Sequence, residues 1–279
     1  MPRFPAEWAK EFNRFHEIWA PTAYVQEALQ RTVTVPIFRL RNACEPHATT
    51  NLGKSYFGIP QDSFAILDFF DLRSRVARKN PWAVIEAFRR LLMARPSSNA
   101  YLVLKISYPA FDPEVVAKLR GEVAQLRDRA ILIDKTITTN EMKNLVRCCD
   151  CFISLHRSEG FGRGPAEAMF FGKPAVATGW SGNMEYMNDK VAFPIRYTLQ
   201  PVKEGEHPHH EDQVWAEADV AHAAEVLIRL LDDPALRRTI GQRGRRHMVR
   251  EYSDKIVGTN YRRRIEAILD GPGRTFQER

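Results

Sequence analysis

Residues 151–178, CFISLHRSEGFGRGPAEAMFFGKPAVAT, decide how this chain is read. The apolar run CFISL leads into a loop holding Gly160, Gly162 and Gly164. A short helical segment, GPAEAMFFG, follows, and then a second apolar run, PAVAT. Strand, loop, helix and strand in that order are a βαβ unit of a parallel sheet. Both runs are apolar throughout, as strands covered on two faces must be.

The alternation continues outward. Upstream, SFAILDFF (63–70), AYLVLKI (100–106) and AILI (130–133) read as strands. NPWAVIEAFRRLLMA (80–94), PEVVAKLRGEVAQLRD (113–128) and TNEMKNLVRCC (139–149) read as helices. Asn80 stands as a cap with Pro81 in the first turn, and Thr139 or Asn140 opens the third helix. Downstream, NMEYMN (183–188) is a helical turn and VAFPI (191–195) a short strand. A polar loop over 198–214 and helices over 216–232, 234–251 and 254–269 complete the chain. Before the rhythm begins, 6–20 and 22–32 read as helical pieces around Pro21, 33–40 as extended and 41–62 as loop. The expected fold class is α/β, a Rossmann-like doubly wound parallel sheet over 36–250. A helical piece, 1–35, precedes it, and a C-terminal helix and tail, 251–279, follow.

The totals fit a folded protein. The 279 residues are 44% hydrophobic, enough for a sizeable core and against disorder. A net charge of +7 and a pI of about 9.3 favour anionic partners. Three of the four cysteines crowd into RCCDCF (147–152), which lacks zinc-ribbon spacing and reads as small buried residues opening a strand. No disulfide framework is suggested, so a reducing, cytoplasmic location is the default. MPRFPAEWAK lacks the apolar core of a signal peptide, and no apolar run approaches the ~18 residues of a membrane span.

In an open parallel sheet, ligands bind beyond the carboxyl ends of the strands, where the loop SEGFGRG lies. Glycines admit close backbone approach, and a helix N-terminus attracts anions, so the loop suits a phosphate or diphosphate. A G-x-G-x-x-G fingerprint from Gly160 fails at Pro165, and a phosphate loop ending at Gly53, Lys54 and Ser55 fails at Ala48. Two carboxylates flank the turn. Glu167, the third residue of its helix, also has a purely structural reading. Glu159, at the mouth of the turn, would repel a phosphate unless it bonds another part of the ligand, such as sugar hydroxyls. A ligand that is both phosphate ester and polyol is a nucleotide sugar.

Glu159, seven intervening residues and Glu167 resemble the paired-glutamate motif of retaining glycosyltransferases of family 4, which have the GT-B architecture. SLHRSEGFG…AEAMFFGKPAVATGWSGNMEYM is similar to bacterial polysaccharide-assembly members, and FFDLRSRVARKNPWAVIEAF to the opening of their donor-binding half. EIWAPTAYVQEAL and VPIFRL resemble the last elements of the acceptor-binding half and the linker. The resemblance runs from about residue 10 to 265.

The resemblance implies that Glu159 contacts the donor sugar and Glu167 the ribose. Lys79 would hold the diphosphate, and the backbone of Gly160, Phe161, Gly162 and Arg163 would complete that anion site. The loop Asp134–Ile137 would lie by the base, and Glu185 would be structural or near the donor. The family's usual arginine five residues before the lysine is replaced by Ser74, with Arg78, Arg75 or Arg73 as substitutes. Arg163 stands where an apolar residue is common and either adds a phosphate contact or points to solvent.

The implied partners are a UDP- or GDP-type nucleotide sugar and a glycan or lipid-linked acceptor. The chain carries one Rossmann-like half and the tail of another, so a non-catalytic or truncated nucleotide-sugar-binding subunit needing a separate acceptor half is the second reading. No D-x-D occurs in the sequence, so no metal cofactor is expected. HPHHED (207–212) lacks regular metal-ligand spacing. The basic stretches LRRTIGQRGRRHMVR (236–250) and YRRR (261–264) raise nucleic-acid binding, but interleaved Leu236, Ile240, Met248, Val257 and Ile265 favour packed helices with a solvated face. Peripheral docking to the inner face of an anionic membrane is another use of that charge.

Overall fold

The computed structural model describes residues 2–270. Helix α1 (Ala6–Phe12), strand β1 (Ile18–Ala20), helix α2 (Ala23–Gln30) and strand β2 (Ile37–Arg39) form an N-terminal piece. The main body runs β3 (Phe64–Asp71), α3 (Val76–Lys79), α4 (Pro81–Ala94), β4 (Ala100–Ser107), α5 (Pro113–Ala124) and β5 (Ala130–Ile133). It continues α6 (Thr139–Cys148), β6 (Cys151–Ser154), α7 (Arg163–Phe170), β7 (Ala175–Thr178) and β8 (Phe193–Ile195). Strands β9 (Tyr197–Pro201) and β10 (Val214–Ala218) then pair antiparallel, and α8 (Val220–Asp232), α9 (Pro234–Tyr252) and α10 (Asp254–Leu269) follow.

The main sheet has the order β5-β4-β3-β6-β7-β8, with every pair parallel. Chain order therefore reverses between β3 and β6, which is the crevice where a Rossmann-like sheet takes its ligand. Alternate residues of β3 build two cores. Phe64, Ile66 and Phe70 pack with Phe88 and Leu91 of α4 and Leu227 and Leu230 of α8. Ala65 and Leu67 pack with Leu145 of α6 and Ala168 of α7 on the opposite face. The doubly wound α/β expectation is met. Ile240, Met248 and Val257 are buried, so much of the basic C-terminal stretch covers packed helices.

Several local expectations are corrected. Residues 18–20 are a strand paired with Ile37–Arg39, because parallel pairing overrides the helical pattern of 6–20. The unit expected to end at residue 35 therefore includes β2. The polar loop over 198–214 contains β9, whose residues are all exposed and so show no apolar alternation. Residues 214–218 are strand, and the next helix begins only after Asp219, whose side chain accepts from His222 N. Asn80 holds the cap position without a capping bond; its φ of 52° turns the chain instead. Helix α6 is capped one residue earlier than expected, by Thr138 in a capping box with Glu141. Of the expected C-terminal tail, 271–279 lie outside the described residues. Among the described residues no helix is long and apolar enough to cross a membrane.

Candidate active site at the strand-order reversal

Two loops meet where the strand order reverses. The loop after β3 carries α3, a single turn bracketed by positive φ at Arg75 (63°) and Asn80 (52°). Backbone held in that region costs about 1–3 kcal/mol per residue and is found where a site requires it. Here it aims Arg78 and Lys79 at the loop after β6. Arg157 N donates to Arg78 O at 2.8 Å, joining the two loops.

Lys79 Nζ donates to Glu159 Oε1 at 2.5 Å. Arg78 Nη1 lies 3.2 Å from Glu159 Oε2 and donates to Ser158 O at 2.7 Å. Burial pushes the Glu159 carboxyl up, but Lys79 and Arg78 outweigh it and hold the group at about 2. Glu159 is thus an ionised acceptor at neutral pH, with no proton to give. Two cations meet one carboxylate, which leaves a net positive charge facing the crevice.

Ser74 contributes its carbonyl, which accepts from Arg78 Nε at 3.2 Å. Of the three arginines considered in place of one at 74, only Arg78 joins the cluster. Arg73 pairs with Asp71 at 2.7 Å and stacks 3.5 Å over the Tyr108 ring, and Arg75 is exposed.

Beyond Glu159 the glycine turn opens α7. Gly162 has φ 81°, and a Cβ there would meet Tyr186 Oη at 3.0 Å. The Phe161 ring is buried against Tyr186 and Tyr252, 5.1 and 6.2 Å between centroids, so this residue offers a ligand only its backbone. Helix α7 has no side-chain cap, so no side chain neutralises the positive end of its dipole at the glycine turn.

Glu167 is buried. Its Oε1 accepts from Lys143 Nζ of α6 at 2.5 Å and from Arg163 Nη2 at 3.2 Å. Arg163 stays 63% exposed in its side chain, so it both reaches Glu167 and remains open at the anion end of α7. Sequence reading missed Lys143. It looks like one more polar residue of an amphipathic helix, and no local motif links it to a glutamate 24 positions on.

The remaining expected residues lie apart. Glu185 Oε2 accepts from Ala23 N at 2.8 Å, and Oε1 lies 3.7 and 3.6 Å from Arg39 and Arg41. It fastens the start of α2 beside the glycine loop, where Thr22 Oγ1 also donates to Gly160 O at 2.9 Å. Asp134 accepts from Arg120 at 2.7 Å. With Ile137, Tyr56, Phe57 and Glu141 it lines a cleft of about 350 Å³ at the β5 edge. His156 is buried between Ser154 and Asn183, and Arg157 pairs with Glu217 at 2.6 Å.

A further acid lies in the core close enough to the cluster to feel its charges. Asp68 of β3 is 2% exposed, and its Oδ2 has no hydrogen-bond partner among the described residues. Burial pushes its carboxyl up to about 7; Lys79 opposes this and Glu159 adds to it. Because the folded acid holds its proton longer than the unfolded one, stability contributed by Asp68 is complete below pH ~4 and lost as pH rises to about 7. Asp68→Asn should therefore lose less stability than wild type between pH 5 and pH 8, read from urea midpoints. Equal losses would show that Asp68 is ionised throughout.

The model of the family described as glycosyl transferases group 1 matches residues 70–247. A Rickettsia africae glycosyltransferase superposes with a TM-score of 0.74 at 16% identity, over 97% of this chain and 69% of that one. Anabaena Alr3699/HepE, crystallised with UDP and glucose, gives 0.72 at 17% identity, over 95% and 68%. The pneumococcal O-GlcNAc transferase GtfA, in complex with UDP and GlcNAc, gives 0.64 at 13% identity, over 95% and 47%. At these identities the likeness is one of fold. This chain spans about two thirds of the first two and under half of the third. No curated protein matches it.

Proposed function

We propose, from the premise that this chain belongs to the glycosyl transferases group 1 family, that it binds a UDP- or GDP-type nucleotide sugar and transfers the sugar with retention. The acceptor class is a glycan or lipid-linked saccharide of polysaccharide assembly, as in retaining family 4 enzymes. The observation that carries this reading is the Lys79–Glu159–Arg78 cluster at the mouth of α7. Such a cluster can exchange partners. An arriving diphosphate takes up Lys79 and Arg78, and the released Glu159 carboxylate accepts hydroxyls of the donor sugar.

As the bond from the anomeric carbon to the phosphate oxygen breaks, negative charge grows on the leaving diphosphate and positive charge on the sugar ring. Lys79, Arg78 and the N–H groups of α7 stabilise the first, and Glu159 stabilises the second. Glu167, held by Lys143 and Arg163, would accept the ribose hydroxyls. These cations can replace a metal ion at the diphosphate, consistent with a sequence lacking D-x-D. Calorimetric titration with UDP and GDP tests the reading. Saturable binding of one nucleotide is expected, weakened about tenfold to a hundredfold in Glu167→Gln, since a hydrogen bond to a charged group is worth about 1.5–3 kcal/mol. Binding of neither nucleotide would sink it.

A second reading, a donor-binding subunit served by a separate acceptor half, is favoured by β1 and β2. A parallel sheet of two strands is short of the partners that parallel strands ordinarily have. Nucleotide binding without turnover of any nucleotide sugar would select it.

A further inference from the structure

The N-terminal piece encloses a cavity that no part of the donor reading uses. It measures about 420 Å³ and lies between residues 3–12, α2 and the arm joining β9 to β10. That volume is within the roughly 300–1,000 Å³ of small-molecule sites. Phe4, Trp8, Trp19, Tyr24 and Leu29 line it, and Gly160 forms part of its wall. Gly160 follows Glu159 directly, and a Cβ added to it would reach Val25 Cγ2 at 3.8 Å, so the bare glycine helps leave this side open. Tyr24 Oη lies 3.3 Å from Ser158 Oγ, the residue before Glu159. The cavity and the candidate reaction centre therefore share one loop.

The walls are held by specific contacts. Arg3 N donates to Gln213 Oε1 at 3.1 Å, and Gln213 Nε2 returns a bond to Arg3 O at 2.9 Å. The Trp8 ring meets His209 edge-on at 4.7 Å, and His209 lies 3.4 Å from Glu7. Two polar groups of the wall are directed elsewhere: the Trp19 indole N–H goes to Glu17 at 2.6 Å and the Arg3 guanidinium to Asp212, neither of which lines the cavity, which leaves the His207 and His209 rings as its polar lining at one side. A bare sugar would find few hydrogen-bond partners here, whereas an apolar group would find aromatic and aliphatic walls.

We infer that this cavity receives the apolar part of an amphiphilic acceptor, an alkyl, prenyl or aryl group, with the acceptor's hydroxyl-bearing head at Gly160 beside the donor sugar. The inference rests on the glycosyl-transfer reading, which puts the donor sugar at Glu159. It places acceptor binding within this chain, where the sequence reading had left it to a missing half. The walls are shared by segments about 200 positions apart, so no local motif announces them.

The test titrates the full chain with octyl glucoside below its micelle concentration, with glucose, and with UDP, by calorimetry. Saturable binding of octyl glucoside without binding of glucose is expected. Trp8→Ala removes a half-exposed wall residue, and Val25→Asp puts a charge into the cavity. Each should weaken octyl glucoside about tenfold, the loss of part of one buried apolar contact, and leave UDP binding unchanged. Binding of UDP but not octyl glucoside overturns the inference while the donor reading stands. Equal binding of glucose overturns it in favour of a saccharide platform. Octyl glucoside binding that both variants retain shows partition of an amphiphile only. Octyl glucoside binding with no UDP binding removes the premise, and the acceptor assignment falls with it.

Discussion

Lys79→Ala is expected to lower the rate of the proposed sugar transfer by about 10²–10³-fold, the loss typical of removing one group that faces charge developing in a transition state. Lys79 is the nearer of the two cations on Glu159, at 2.5 Å against 3.2 Å for Arg78, and its side chain is 18% exposed. In that enclosed setting its charge is screened far less than at the surface. Arg78 fills the gap only in part, because Ser74 O and Ser158 O fix its guanidinium 3.2 Å from Glu159 and it cannot shift to the place of the lysine ammonium. The fold should survive, since Glu159 keeps Arg78 and the bond from its own N–H to Ser181 Oγ at 2.9 Å. The measurement is initial rate against nucleotide-sugar concentration, with urea midpoints as a folding control. A fall below tenfold with an unchanged midpoint would remove Lys79 from the reaction. Lys79→Arg should recover only part of the rate, since a planar fork replaces a compact charge.

Gly182→Ala is expected to destabilise the fold by about 3 kcal/mol, the upper part of the range for overpacking, and to abolish the proposed nucleotide binding with it. A Cβ at Gly182 would enter the van der Waals shell of the Gly160 carbonyl, and it would also meet Glu159 O at 2.8 Å. Both obstacles are backbone, so no rotamer change relieves them. Gly182 N donates to Glu159 O at 2.9 Å, and this close approach is what seats the glutamate loop against the turn after β7. The substitution must push that loop away, moving Glu159 from Lys79 and the glycine turn from the crevice. Urea midpoints and UDP calorimetry on the same preparations test both halves. An unchanged midpoint would mean that the loop yields freely and that the site is not held from below. Gly53→Ala is the control, because nothing lies within 4 Å of a Cβ there.

The alternation of strands and helices from 63 to 195 was legible because the four central strands of the main sheet are largely buried on both faces and so are mostly apolar, Asp68 and Lys105 being buried exceptions. Two of the strands that were missed lack that signal, and the third, β10, runs into the helical pattern of α8. β9 is exposed throughout, and β1 is three residues long behind a helical pattern. The candidate site divides in the same way. Glu159 and Glu167 share one loop and helix, so their spacing is printed in the chain. Lys143, Arg78's choice over Arg73 and Arg75, and the cavity wall at Trp8 depend on segments that meet only after folding.

Periodicity and apolar content by themselves determined a parallel sheet wrapped by helices, and the glycine turn between two carboxylates singled out the loop that is proposed to hold the donor. Only the tertiary structure decided which cations reach those carboxylates, that Glu185 anchors α2, and that the N-terminal piece closes a cavity against Gly160. The reason is physical. Local pattern reports which face of an element leaves water, whereas charge pairing and cavity walls depend on distances between elements far apart in the chain, which packing alone sets.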